Sequence, residues 1–323
     1  MIHLLLVTGP EPAIVQELCV RLSACHSNVI LGHDYTVERT RQWLEASGQP
    51  ATTLHAILTV PWTVSVHDWL AQWRRTACQQ PLTVSIQLSD IAICLAADSL
   101  TTGLDNGTLV GDQSHAERLV ETIEVASRVV INRMDTQLVG LCAALQPTIQ
   151  SIVLPDVWLI EQPYSVHTAW QAIVNEHTIA PPSETRYHLF TTQKPFHTER
   201  LATWLKQPLS GLLRARGFTW FHDSPSLVIE LSIAGAHRCY RPAGTWWVGM
   251  RRSHWPRDRN HLRRIQQQWH PDFGDRLQAV ALISHRYELT PIVQGLTQCI
   301  LTDDELGTEW HQLAMTPDPF AEL

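Results

Sequence analysis

Residues 3–24 read HLLLVTGPEPAIVQELCVRLSA, and the fold follows from how that run divides. Ile2–Val7 is an apolar stretch of strand length, and Gly9 and Pro10 end it in a turn. Behind the turn, Ile14, Val15, Leu18, Cys19 and Leu22 recur with the 3.6-residue period of a helix. Pro12 suits the first helical position, where its missing N–H has no partner to lose. Strand, glycine turn and helix open many nucleotide-binding α/β domains. A phosphate loop of the Gly-x-x-x-x-Gly-Lys-Ser/Thr kind, counted from Gly9, would put glycine at 14, lysine at 15 and a hydroxyl at 16. The chain has Ile14, Val15 and Gln16.

The missing lysine is not a local accident. Residues 1–180 carry eight Arg, no Lys, eight Asp and nine Glu, a net of −9. The first lysine of the protein is Lys194, so a displaced phosphate loop is excluded as well. Residues 181–323 carry a net of +2. The acidic first half is ill suited to wrapping a phosphate backbone. At 323 residues the chain has room for two cores. No apolar run approaches the roughly 18 residues of a membrane span. No basic flank precedes the short N-terminal apolar run, so no signal peptide is expected. Seven scattered cysteines without a C-x-x-C pair suit a reducing cytoplasm.

Outward from the opening, strand-like and helix-like segments alternate. Strands are expected at 28–32, 55–60, 91–96, 128–132, 151–154 and 157–160, and helices at 36–46, 66–75, 114–126, 138–145 and 166–175. This alternation implies a mostly parallel sheet with helices on both faces, over residues 1–180. HTIAPPSETR at 177–186 reads as a linker. Beyond it, in residues 181–323, strands are expected at 187–192, 218–221, 227–233, 246–250 and 278–284, with helices at 198–205, 259–269 and 290–297. That pattern reads as an α+β domain with a mostly antiparallel sheet.

The second half contains Pro195-Phe196-His197-x-Glu199-Arg200-Leu201, Arg214-Ala215-Arg216-Gly217-Phe218-x-Trp220, Gly244-Thr245-Trp246-Trp247, Gly274-Asp275-Arg276-x-Gln278 and Leu301-Thr302-Asp303-Asp304-Glu305, with Trp310 and Asp318-Pro319-Phe320 near the end. In that order these resemble the C-terminal domain of the CobW family of P-loop GTPases, with Ser284 where the family usually has glycine. Val129–Asp135 resembles the family's guanine-reading loop, and Ala97-Asp98 a strand end before it. The resemblance implies a P-loop-like first domain and a smaller α+β CobW C-terminal domain. It assigns Gly9 to the phosphate turn and Asn132, Arg133 and Asp135 to a vestigial guanine pocket. An Asp after a strand also caps the next helix, and that reading of Asp135 stands beside the first. The family's metal-bearing GCxCC and its acidic magnesium stretch have no counterpart, since residues 58–65 read LTVPWTVS. The opening also resembles a branch of degenerate CobW-like proteins that recruit ribosome-hibernation factors.

Two further constellations invite chemistry. Zinc wants three or four converging nitrogen or sulfur ligands. His254, His261 and His270 are one candidate set, and His222, His237 and Cys239 another. Histidines spread along a chain are ordinarily surface or hydrogen-bonded core residues, so zinc is not expected. Arg251, Arg252, Arg257, Arg259, Arg263 and Arg264, with Trp255 among them, put six arginines and one acid into fourteen residues. Arginine beside an aromatic suits phosphate contact and stacking; a solvated face explains the same composition. Arg251, Arg252, Trp255, Arg257, Arg263 and Arg264 are the expected partner-binding residues.

The reading that follows is a non-catalytic, cytoplasmic CobW-like adaptor or regulator, linked to zinc homeostasis or ribosome hibernation. It requires no cofactor, binds GTP or GDP weakly at most, and engages a protein or ribosome through its C-terminal domain. No membrane and no sequence-specific DNA are expected. The alternative is a GTP-dependent metallochaperone.

Overall fold

The computed structural model describes residues 1–24, 29–32, 36–47, 54–80, 82–97, 99–105, 108–110, 113–133, 135–146, 149–153, 185–267 and 269–307. The expected strand at 157–160, the helix at 166–175, most of the 177–186 linker, Asp98, Trp310 and residues 318–320 lie outside them. The chain divides into two compact units, Met1–Ser183 and Glu184–Leu323.

The first unit carries a six-stranded, all-parallel sheet. In chain order its elements are β1 (Ile2–Thr8), α1 (Pro12–Ala24), β2 (Val29–Gly32), α2 (Val37–Ser47), β3 (Leu54–Thr59), α3 (Val66–Gln79), β4 (Ile86–Leu95) and α4 (Ser99–Leu104). A two-stranded ribbon of β5 (Leu109–Val110) and β6 (Gln113–Ser114) follows, then α5 (His115–Val125), β7 (Arg128–Ile131), α6 (Thr136–Leu145) and β8 (Gln150–Val153). The spatial order is β2-β3-β1-β4-β7-β8. Successive residues of β1 point to opposite faces, yet Leu4, Leu5, Leu6 and Val7 are all buried, so both faces of the sheet are covered. On one face α1 packs Ile14, Leu18, Cys19 and Leu22 against Leu5, Val7, Ile57, Ala92, Cys94 and Val130. The 3.6-residue stripe read from the opening stretch is the stripe that packs.

The second unit is a five-stranded antiparallel sheet in the order β12-β11-β10-β13-β9. Its elements are β9 (Thr185–Thr192), α7 (Thr198–Leu205), β10 (Leu212–Thr219), β11 (Leu227–Ala234), β12 (His237–Thr245), α8 (Arg259–Gln267), β13 (Gln278–His285), α9 (Thr290–Gln298) and the short α10 (Asp303–Gly307). One core joins Leu201, Leu205, Ile292 and Leu296 of two helices to Leu212, Ala215, Ile229, Leu231, Ile233, Val280 and Leu282 of the sheet. A second, smaller one holds Trp220, Phe273 and Leu301. Gln278, fully buried, closes the seam: its Oε1 accepts from the Trp220 N–H at 3.1 Å and its Nε2 donates to the Trp220 carbonyl at 2.8 Å.

One expected strand is corrected. Residues 246–250 do not form a strand; β12 stops at Thr245 and Trp247–Gly249 is a turn of 3-10 helix. The expected strand at 218–221 is the end of a longer one, since β10 runs from Leu212 to Thr219. Ser284, where glycine is usual in the resembling family, is fully buried and donates its hydroxyl to the Tyr287 carbonyl at 2.5 Å. It thereby closes a turn in which Arg286 takes φ 69°.

Candidate functional site

In open parallel sheets, ligands bind beyond the carboxyl ends of the strands where the strand order reverses direction. Here that point lies between β1 and β4, flanked by the turn after Thr8 and the segment after Leu95. Gly9 sits at this point because the backbone passes close to β4: a Cβ there would lie 2.2 Å from the Cys94 carbonyl oxygen. The glycine is thus explained by packing. The Glu11 carbonyl accepts from the Ile14 and Val15 amides at 3.1 and 3.2 Å, starting α1. The Glu11 carboxylate accepts a hydrogen bond from the Ser99 hydroxyl at 3.4 Å, across to the start of α4. His115 lies close enough for that carboxylate to bias its titration. Burial lowers the His115 pKa, and Glu11 opposes the shift. The Trp62 ring closes on His115, with centroids 5.5 Å apart. A carboxylate, not a lysine, therefore occupies the loop, and Ile14 is 8% exposed within the core.

The second half of the expected pocket is ordered but differently employed. Asn132 Oδ1 accepts from the Ala97 N–H at 3.0 Å, tying the end of β4 to the end of β7. Asp135 is the N-cap of α6, its Oδ1 accepting from Gln137 and Leu138 N–H at 2.9 and 3.0 Å. That is the capping role weighed in the sequence. Arg133 is exposed beside it.

In the second unit the Gly-Asp-Arg stretch holds up a tryptophan surface. Residues 270 and 274 exchange backbone hydrogen bonds of 2.7 and 2.8 Å. The next residue, Asp275, accepts from the Trp247 and Val248 N–H groups at 2.8 Å each. Arg276 donates to the Pro225 carbonyl at 2.6 Å and lies over the Trp220 ring at 5.2 Å. Asp275 and Arg276 thus bond to backbone, whereas Arg216 forms an ion pair with Glu230 at 3.0 Å. Fixed by these bonds, Trp247 meets Trp255 with centroids 6.2 Å apart, and Trp255 meets Trp269 at 5.7 Å. Arg252 lies over the Trp255 face at 5.4 Å. Arg251, Arg252, Arg257, Arg259 and Arg263, in the same stretch of chain as Trp255, are all exposed, and Trp269 is 38% exposed. Sequence reading found Trp255 and the arginines but not Trp247 and Trp269 as their companions. The three rings are separated along the chain by no regular period. Nothing is assigned to the side chain of Arg264.

The histidine candidates fare differently. His222 is buried, with Nδ1 at 3.3 Å from the Phe196 carbonyl oxygen, and His237 and Cys239 lie on β12. His270 stacks on Phe273. His197 is the N-cap residue of α7 but makes no side-chain cap; its ring packs on His222 at 4.9 Å. Burial, then Arg200 and His222, lower its pKa. Among the described residues no three His, Cys, Asp or Glu side chains converge as a metal-ligand set. No helix among them is long and apolar enough to cross a membrane.

Comparison with known proteins gives these features a context. Residues 186–300 match the model of the cobalamin synthesis protein cobW C-terminal domain. A zinc-regulated GTPase metalloprotein activator of Dictyostelium discoideum is 27% identical over 122 residues, covering 36% of this chain and 26% of the relative. A zinc chaperone of Mycobacterium tuberculosis is 30% identical over 136 residues, covering 41% and 33%. The chain therefore spans a third or less of the curated relatives it matches. Among solved structures, the zinc-bound YjiA GTPase of E. coli aligns at 10% identity with a TM-score of 0.37, over 93% of this chain and 99% of that one. The two curated relatives overturn one expectation: both are named for zinc, against the expectation from the scattered histidines that zinc is not bound. The ordered series of segments that resembled the CobW C-terminal domain in the sequence thus falls in the second unit, within or beside the residues 186–300 that match that domain's model.

Proposed function

We propose that this chain is a zinc-linked CobW-family adaptor that works in the cytoplasm, does not turn over GTP, and engages a protein or ribosomal partner through its second unit. The observation that carries the non-catalytic part is the β1–α1 turn. Phosphoryl transfer needs backbone amides, a lysine and a metal-bound hydroxyl converging on the phosphates. Here Glu11 puts a carboxylate into the loop, Ile14 fills the core, and no lysine precedes Lys194. A carboxylate beside a triphosphate is a like-charge contact, which disfavours the bound state. The zinc part is supported by the zinc-named relatives, which match this chain at 27% and 30% identity. The cytoplasmic part is supported by Cys19, Cys78, Cys94, Cys142 and Cys299, which are thiols among the described residues.

The test is phosphate release from GTP with magnesium by the full chain, run beside equilibrium dialysis against zinc. Release at the buffer rate together with retained zinc is the expected pair of results. Turnover in the ordinary enzymatic range, upwards of about 1 per second, sinks the adaptor. A chain that retains no zinc sinks the zinc link.

A further inference from the structure

The tryptophan and arginine surface of the second unit has the composition of a stacking platform. Trp247, Trp255 and Trp269 form a relay of tilted rings, 6.2 and 5.7 Å between centroids. Trp247 and Trp255 are half-buried, and Trp269 at the end of the relay is exposed. The relay is built rather than incidental. Asp275 takes the amides of Trp247 and Val248, and the Trp255 indole N–H reaches the Met250 carbonyl at 3.4 Å. Arg252 lies over the Trp255 ring, and Arg251, Arg252, Arg257, Arg259 and Arg263, neighbours of Trp255 in the sequence, are exposed. From Arg259 to Trp269 the sequence has no acid. The second unit thus offers an exposed tryptophan ring together with exposed guanidinium groups.

We propose that this surface binds a single-stranded polynucleotide, its bases stacking on Trp269 and the relay behind it and its phosphates held by Arg251, Arg252 and their neighbours. The proposal rests on the reading of the second unit as the partner-binding half and names the partner's chemistry. Two properties favour a nucleic acid strand over an acidic peptide. Every base presents a π-face at a spacing that tracks the phosphates, so rings and guanidinium groups are used together. An acidic peptide would satisfy the arginines and leave the tryptophans idle. Charge complementarity is local: the patch is basic on a chain of net −7.

The test is fluorescence anisotropy of labelled uridine and thymidine oligomers of about twelve nucleotides, titrated with the full chain at several salt concentrations. Binding is expected, with quenching of tryptophan emission. Trp269→Ala should weaken it about five- to a hundredfold, the range for losing one stacked base, while Trp269→Phe keeps most of it. Arg251→Gln with Arg252→Gln should flatten the slope of log affinity against log salt by about 1.4, two phosphate contacts at about 0.7 each. That readout stands even if a tryptophan variant fails to fold. Preference for uridine or thymidine identifies RNA or DNA as the source, and either supports the proposal. Absence of binding, or binding indifferent to Trp269 and equally displaced by polyglutamate, overturns it and leaves a surface for anionic proteins. Phosphate release is read in a separate assay. A chain that turns over no GTP and ignores the oligomers keeps the adaptor reading and loses this one.

Discussion

At Asp135 one carboxylate oxygen holds two backbone N–H groups of α6, and the aspartate adds favourable charge at a helix N-terminus. Asp135→Ala should cost about 1 kcal/mol, read as a lower denaturant midpoint, and Asp135→Ser should recover most of it. A variant with unchanged stability would return the residue to ligand recognition. This role was legible in the sequence because capping is local, an acceptor two or three residues ahead of the amides it serves. Glu11 was not legible. Its hydrogen-bond partner Ser99 is 88 residues away, and only the fold brings the two together. The same holds for Trp247 and Trp269, which meet Trp255 in the fold and not through any regular spacing, Asp275 holding the Trp247 amide.

At the scale of elements, periodic segments were read well and segments shaped by side-chain acceptors were not. The helix at 198–205 and the strands of the parallel sheet followed their apolar patterns. Residues 246–250, rich in β-prone Trp, Val and Met, failed because the Asp275 carboxylate already binds the amides of Trp247 and Val248. Those amides have nothing left to give a ladder. Helix α4, SLTTGL, has weak helical composition and was missed. It forms because Leu100 and Leu104, one turn apart, are both buried, and because Gly103 lets α5 approach: a Cβ there would meet Leu119 at 2.7 Å. Pairing between strands also sets a pH dependence. Burial alone would raise the Glu230 pKa, but Arg241 and Arg216 outweigh it and hold the carboxyl below its usual value. A depressed folded pKa contributes stability above the unfolded value of about 4.3, and that contribution fades as pH falls through the folded pKa. Glu230→Gln should therefore be clearly less stable than wild type at neutral pH, and the gap should close on acidification below pH of about 4. A gap constant with pH would contradict the ion-pair account.

For the whole molecule, charge distribution matters more than charge sum. A net of −7 predicts indifference to polyanions, whereas the arginines of the second unit predict attraction, since fields are set by local clusters at distances near the Debye length, about 10 Å at 0.1 M salt. The chain should be retained on immobilised heparin at low salt near neutral pH, and Arg251→Gln with Arg252→Gln should elute at lower salt. Passage of the wild type straight through would show that the acidic surface dominates. Element pattern and charge both change after residue 180 of the sequence, and the compact units of the structure are Met1–Ser183 and Glu184–Leu323.

The grip of Gln278 on Trp220 sets a clock. The Trp220 amide hydrogen is capped by a fully buried side chain at the seam between the two apolar clusters of the second unit, where no local fraying can reach it. In deuterated solvent it should be among the last protons of that unit to exchange, at a rate reporting the opening of the unit as a whole.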